Sequence, residues 1–269
     1  IHYAPTLEEE LEKYKSVTLE DTVSIYQDLM NGVHGEVVIV GDFETSAVMP
    51  SLETLVENWE SEAAFARIPE AAQVNLPGRE ITIETPDKAN AVYLAGLNLA
   101  IKDGDADFAP LVMANFILGG GSLASRLGDR VRQQEGLSYG IRSGFSAHPI
   151  DDRGRLTISA ITNPNNQTKL EKAISEELNR WIEEGITEEE LKRAQQGYLQ
   201  GQQLQRSNDR VLTGLIGSTL FAGRTLDYYA DLEKAIGRLY PEAVNETVRK
   251  RISSNKLIQV FAGDVGAKE

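Results

Sequence analysis

The sequence contains no cysteine, which excludes disulfides and thiolate zinc sites and leaves the compartment open between a reducing cytosol and a periplasm. Histidine is scarce. His2, His34 and His148 are widely separated, and the run HGEVV around His34 lacks the spacing of a paired-imidazole site, so each reads as a surface or loop histidine. No stretch approaches the roughly 18 consecutive apolar residues of a membrane span. The opening IHYAPTLEEELEKY lacks the charged-then-apolar layout of a secretory signal, so the chain is expected neither to span nor to target. A basic excess is also missing. With 27 Lys and Arg against 41 Asp and Glu, a net charge of −14 and no Lys/Arg-rich run, nucleic acid is not an expected partner.

What is present describes a folded protein. The 269 residues are 41% hydrophobic and 25% charged, an ordinary balance for one large or two moderate globular domains. LEEELEKYK (7–15) reads as an acidic helix piece. TLEDTVSIYQDLMNG begins a clearer one, with Val23, Tyr26, Leu29 and Met30 at helical spacing and Gly32 as its stop. HGEVVIVGDF is a β-branched run of strand type, and AVMPSLETLVENWE (47–60) reads as a helix with Pro50 in its first turn. Then AAFARIPEAAQVNLPGRE, with two prolines, a glycine and no clear periodicity, marks a connector, which places a boundary near residue 75.

The stretch 76–269 opens as a sheet: ITIET and AVYLAGLNLAI across the turn PDKAN, then YGIRSGFSAHP paired with GRLTISAIT. DADFAPLVMANFIL is expected as a helix ended by the triple glycine. A helix over 169–184 follows, and Thr187-x-x-Glu190 forms a capping box opening another through about Gln205. Further helices are expected over 209–221, 226–238 and 241–252, before a closing strand LIQVFAGDV. The fold class is α+β, a sheet with helices packed on it. Acidic runs such as Glu188 to Glu190 read as solvated helix faces, and Asp42 and Asp264 as turn or cap residues at strand ends.

A long-period repeat is also legible. TLEDTVSIYQDLMNGVHGEVVIVGDF (18–43) aligns without a gap on YPEAVNETVRKRISSNKLIQVFAGDV (240–265) at an offset of 222 residues. Glu20 meets Glu242, Val38 meets Val260, and Gly41-Asp42 meets Gly263-Asp264. An offset of that size implies duplicated domains. Residues 1–75 are therefore expected to be the tail of a preceding homologous domain plus connector, with the bulk of that copy upstream.

The densest chemistry lies in GGGSLASRLGDRVRQQEGLSYG (119–140). Gly119, Gly120 and Gly121 permit close backbone approach, and Ser122 is placed to cap the helix that follows. Within that helix Leu123, Leu127 and Val131 form a packing face, and Arg126 and Arg130 are expected to look outward. Arg132 lies seven residues before Tyr139 across the turn of Glu135, Gly136 and Leu137, so a helix end and a strand start can address one site. Taken alone, these residues favour a solvated Arg132 and a sheet-face Tyr139. Three glycines before a helix also suit an anion, but no Walker lysine or dinucleotide-binding pattern accompanies them.

Over nearly its whole length the sequence resembles the pitrilysin/insulinase family of zinc metallopeptidases, inverzincin proteins whose α+β domains are duplicated along the chain. The likeness is carried by LVMANFILGGGSLASRLGDRVRQQEGLSYGIRSGF (111–145), VVIVGDF and EGITEEELKRAQQGYL. The family's catalytic copy carries His-x-x-Glu-His with a distal Glu. This chain does not supply that motif, so it resembles the non-catalytic, or inactive, C-terminal half. It is expected to hold no cofactor and to cleave nothing alone, with zinc belonging to the catalytic half as partner, on the same polypeptide or a separate subunit. The resemblance implies that two halves close around an extended peptide substrate. It also implies that Arg132 and Tyr139 match the pair reaching the zinc site, which reverses the preference stated above. Attack on a peptide carbonyl builds negative charge on oxygen, which a phenol O–H about 3 Å away stabilises. Tyr139 takes that role, Arg132 holds a substrate carbonyl, and Gly119, Gly120, Gly121 and Ser122 line the substrate chamber. The alternative implied by the same resemblance is a catalytically silent structural or assembly subunit. A bacterial-type protein is expected, periplasmic or cytoplasmic.

Overall fold

The computed structural model describes all residues except 1, 2, 4, 31, 33, 58, 62, 122–124 and 267–269. The chain forms two compact units, 1–68 and 69–269. The division falls before residue 75 because the connector is tied to the second unit. Ala72 N–H donates to Asp152 O, Arg153 pairs with Glu70 at 3.1 Å, and the Asn98 amide donates to Gln73 O. No helix among the described residues is long and apolar enough to cross a membrane.

The first unit carries α1 (Leu7–Ser16), α2 (Leu19–Leu29) and α3 (Thr45–Val56). Thr6 with Glu9 and Thr18 with Asp21 start the first two as reciprocal caps. None of the three helices buries a residue, so the apolar positions that set the periodicity of α2, Val23, Tyr26 and Leu29, stay exposed. The expected strand HGEVVIVGDF is not a strand here: its described residues from His34 to Asp42 join no ladder. A strand exists only through its neighbours' hydrogen bonds, and these residues have none within the unit.

The second unit is a five-stranded sheet with helices packed against one face. Its strands are β1 (Arg79–Glu84), β2 (Ala91–Leu99), β3 (Ser138–Ala147), β4 (Gly154–Thr162) and β5 (Ile258–Gly263), in the spatial order β1-β5-β2-β4-β3. β5, the last in sequence, inserts between β1 and β2, parallel to the first and antiparallel to the second. The turn joining β1 to β2 must therefore span an intervening strand. Asp87, with φ 61°, provides the bend, and its N–H donates to Asp264 at the end of β5, the turn duty expected of that aspartate.

After β2 come α4 (Phe108–Asn115), α5 (Gln167–Glu183), α6 (Glu188–Arg206), α7 (Asp209–Phe221), α8 (Asp227–Gly237) and α9 (Pro241–Arg251). α5 shows how the sequence builds the core. Leu170, Ala173, Ile174, Leu178 and Trp181 repeat at helical spacing, and all are at most 2% exposed. Opposite them the alternation of β2 and β4 buries Tyr93, Ala95, Leu156, Ile158 and Ala160. Full burial of each large side chain contributes about 1.5–3 kcal/mol. Tyr93 keeps its hydroxyl satisfied by donating to Gln259 Oε1 at 2.7 Å, and burial raises its pKa further above the usual phenol value.

The opposite face of the sheet consists of the alternate strand positions. Ile81, Val260, Leu94, Ser159 and Arg142 lie side by side in one row, with Ile83, Ala262, Val92, Ile161 and Gly140 in the next.

Candidate functional site

Three features converge where α4 ends and β3 begins. The first is the glycine run. The expected helix stop at Gly119 is displaced: α4 continues as a π turn over Phe116–Gly120, closed by Gly121 N–H donating to Phe116 O. Gly119 is buried against β3, where an added Cβ would sit 2.7 Å from Ser143 N and 2.8 Å from Ser143 Oγ. A Cβ at Gly120 or Gly121 would meet the Asn115 side chain at 2.3 Å or Phe116 O at 2.8 Å. Close approach to backbone therefore demands Gly119 and Gly121, whereas at Gly120 the near atom is the end of the Asn115 side chain. Ser122 lies outside the described residues.

The second feature is the arginine-bearing segment, whose described core is a π turn over Gly128–Gln134. Leu127 and Val131 are fully buried, as the periodicity implied. The arginines differ from expectation. Arg126 does not look outward. Its Nε and Nη2 donate to the two carboxylate oxygens of Glu190 at 2.7 and 2.9 Å, and Nη2 also reaches Gly185 O at 2.7 Å. Arg130 bridges Glu135 and Glu176, both at 2.8 Å. Glu190 is thus not a solvated face residue: it caps α6 through Thr187 and anchors Arg126 as well. Burial opposes its ionisation, yet the bonds from Arg126 and Thr187 hold its carboxyl below the usual range. Nearby Glu177 is pushed up by burial, against the pull of Arg180 and Arg126. Sequence reading missed this pairing because 64 residues separate its partners.

The third feature is the turn into β3. Gly136, at φ 62°, lets the chain reverse, and Leu137 N–H donates to Val131 O. β3 then begins with a bulge. Ser138 pairs with Thr162 and Gly140 with Ile161, which leaves Tyr139 as the extra residue. Counted back from the inward-facing Ile141, strict alternation would send Tyr139 into the core and Ser138 outward. The bulge reverses both: Ser138 is 5% exposed and Tyr139 86%. Ser138 Oγ stabilises the irregularity by donating to Ile161 O at 2.7 Å and accepting from Gly140 N–H at 3.2 Å.

These features bring Arg132 and Tyr139 together. The guanidinium carbon lies 4.7 Å from the centroid of the tyrosine ring, a cation–π contact across the turn. Among the described residues no side chain hydrogen-bonds the Tyr139 hydroxyl, so a donor O–H and a fixed fork of N–H groups are presented to solvent side by side. Such an arrangement can polarise a carbonyl or hold an oxyanion.

The same chain offers little to a metal. His34 lies against Phe65 in the first unit, ring centroids 4.6 Å apart. His148 sits in the β3–β4 connection, where Nδ1 accepts from Ile150 N–H and Asp151 N–H at 3.2 and 2.8 Å. His2 lies outside the described residues. Among the described residues no group of three or more His, Cys, Asp or Glu is clustered to hold a metal ion, so the described residues do not fit a zinc site.

Residues 16–198 match the family model described as the peptidase M16 inactive domain. The non-peptidase homolog YmxG of Helicobacter pylori is 28% identical over 173 residues, covering 64% of this chain and 39% of that protein. The uncharacterized zinc protease YmxG of Bacillus subtilis is 37% identical over 86 residues, 32% of this chain and 20% of that protein. The crystal structure of the peptidase M16 inactive domain from Pseudomonas fluorescens matches with a TM-score of 0.77 at 26% identity, covering 94% of this chain and 60% of that one. The chain spans less than two thirds of the length of each of these relatives.

Proposed function

The chain belongs to the peptidase M16 inactive-domain family, and from that premise we propose that it encloses an extended peptide and lends Tyr139 and Arg132 to the zinc site of a catalytic half. The observation that carries the reading is the β3 bulge. It turns an otherwise core-facing tyrosine into solvent beside a guanidinium, an arrangement with no packing purpose at 86% exposure. In this role the Tyr139 O–H donates to the oxyanion that forms as the scissile carbonyl is attacked, while the Arg132 fork holds a neighbouring substrate carbonyl and fixes register. Gly120 and Gly121 serve as chamber lining.

The unit 1–68 is, on the same reading, the tail of a preceding homologous domain. Residues 36–41 align on β5, which is flanked by a strand on each side in the second unit, yet they join no ladder among the described residues. A copy of a central strand calls for two neighbours of its own.

The test is peptide cleavage by the full-length protein together with its catalytic half, comparing wild type with Tyr139→Phe and Arg132→Ala. Loss of one oxyanion donor is expected to lower kcat by roughly 10²-fold or more with the fold intact. Cleavage unchanged by Tyr139→Phe would refute the role given to the phenol. A second reading, a catalytically silent assembly subunit, draws on the non-peptidase name of the Helicobacter relative. It is favoured if the wild-type protein cleaves no peptide at all.

A further inference from the structure

The helices leave the outward face of the sheet bare, and its composition departs from that of the chain. Along the outward strand positions no side chain is acidic, whereas Arg79, Arg142 and Arg155 are cationic. The whole chain has 41 acidic residues against 27 basic ones. Ile83, Val92, Leu94 and Ile161 on this face are 47, 40, 51 and 57% exposed, a contiguous aliphatic surface next to the cations. A groove of about 600 Å³ lies on this face, lined by Leu94, Ile258 and Val260 of β2 and β5, by Arg142 and Arg155 of β3 and β4, and by Lys256 just before β5.

These cations are not spent on the fold. The Arg155 guanidinium lies across the sheet over Gly96, where a Cβ would meet Nη2 at 3.2 Å. Neither Arg155 nor Arg142 has an acidic partner among the described residues, and Lys256 makes only a 3.4 Å bond to Val74 O. By contrast Arg126, Arg130, Arg224 and Arg251 are each paired with carboxylates. Arg142 lies on the same strand as Tyr139, three residues further along β3.

We infer that this groove binds an acidic peptide segment in which carboxylates alternate with aliphatic residues. The aliphatic side chains cover Leu94, Ile258 and Val260, and the carboxylates meet Arg142, Arg155 and Lys256. Arginine suits the task because its planar fork takes a carboxylate through two bonds and stays charged. The inference deepens the enclosing role proposed above by naming the class of peptide. It requires nothing of Tyr139 or Arg132.

Fluorescence anisotropy on the full chain tests it, with a short labelled peptide alternating Glu with Val and a counterpart carrying Lys for Glu. A net charge of −14 would by itself favour the lysine peptide, so the sign of the preference is decisive. The acidic peptide is expected to bind at least about tenfold tighter. Arg142→Glu with Arg155→Glu should reverse that preference, and the milder Arg142→Gln with Arg155→Gln should abolish it. Both arginines are exposed, so the variants should keep the wild-type melting curve. Tyr139→Phe should leave binding within about twofold, which separates this inference from the role of the phenol in cleavage. Equal binding of the two peptides, preference for lysine, or no binding would each overturn it. A dimer seen by light scattering and dissolved by the same charge reversal would also overturn it, by making a second copy the occupant.

Discussion

The pair of Arg126 and Glu190 holds the arginine-bearing turn onto the α5–α6 corner, and cutting it should cost stability that the geometry allows to be sized. Both side chains are mostly buried, at 15 and 21% exposure, and the carboxylate receives two guanidinium hydrogen bonds while a third reaches Gly185 O. Breaking a fully buried pair from one side costs about 3–5 kcal/mol, because the remaining charge is stranded. Residual exposure here lets water reach that charge, which lowers the expectation for Arg126→Met to about 2–3 kcal/mol. At about 2–4 °C per kcal/mol for a unit of this size, the melting temperature should fall by roughly 4–12 °C. Glu190→Gln should cost less, about 1 kcal/mol, because glutamine still completes the capping box with Thr187. Urea unfolding is best read through Trp181, which is 1% exposed in the second unit, with Trp59 of the first unit replaced by Phe. A double-mutant cycle should return a coupling of about 1–2 kcal/mol. Additivity within about 0.5 kcal/mol would refute the reasoning and reduce the pair to a surface contact.

Three other outcomes can be checked in the same way. Gly119→Ala should destabilise by about 1–3 kcal/mol, since its Cβ would press on Ser143 N and Oγ, and urea midpoints would register the loss. Asp107 is held below the usual carboxylate range: burial resists its ionisation, but hydrogen bonds from Lys250 and Arg251, at 2.9 and 2.6 Å, more than offset that. Its stabilising contribution is complete above the unfolded value of 3.8 and is lost as pH falls through the lowered folded value, so Asp107→Asn should flatten the acid limb of a midpoint-against-pH plot. Tyr139→Phe should leave stability within about 0.5 kcal/mol by thermal melting, because the hydroxyl it removes has no partner among the described residues. A larger loss would make Tyr139 a structural residue.

Much of the second unit was legible because its elements announce themselves locally. The helix expected over 209–221 is α7 residue for residue, and those expected over 226–238 and 241–252 differ from α8 and α9 by one residue at an end or two. Their caps and breakers are short-range signals. What failed was whatever depends on a distant partner. HGEVVIVGDF has the β-branched composition of a strand and still joins no ladder, because pairing belongs to the sheet and not to the segment. Arg126 was misread for the same reason. Helical spacing puts it on the face adjoining Leu127 and Val131, which reads as solvated, and gives no sign that Glu190 arrives there from the start of α6.

The candidate site divides along the same line. Its residue types and the interval from Arg132 to Tyr139 are matters of sequence, and the turn between them rests on a glycine at positive φ that the sequence displays as Gly136. The direction Tyr139 faces is not. With Ile141 and Ser143 inward, a pattern of period two predicts a buried Tyr139, and only an extra residue opposite Ile161 changes the answer. Bulges leave a faint trace in composition, here a small hydroxyl residue before the tyrosine and a glycine after it. Ser138 earns its position by making the two hydrogen bonds that the interrupted ladder lacks. The outward cations follow the opposite rule. Arg155 in GRLTISAIT alternates with Leu156, Ile158 and Ala160, all buried, so the period-two pattern already assigns it to the bare face. The direction of Arg155 could therefore have been read from the sequence, whereas the direction of Tyr139 required the fold.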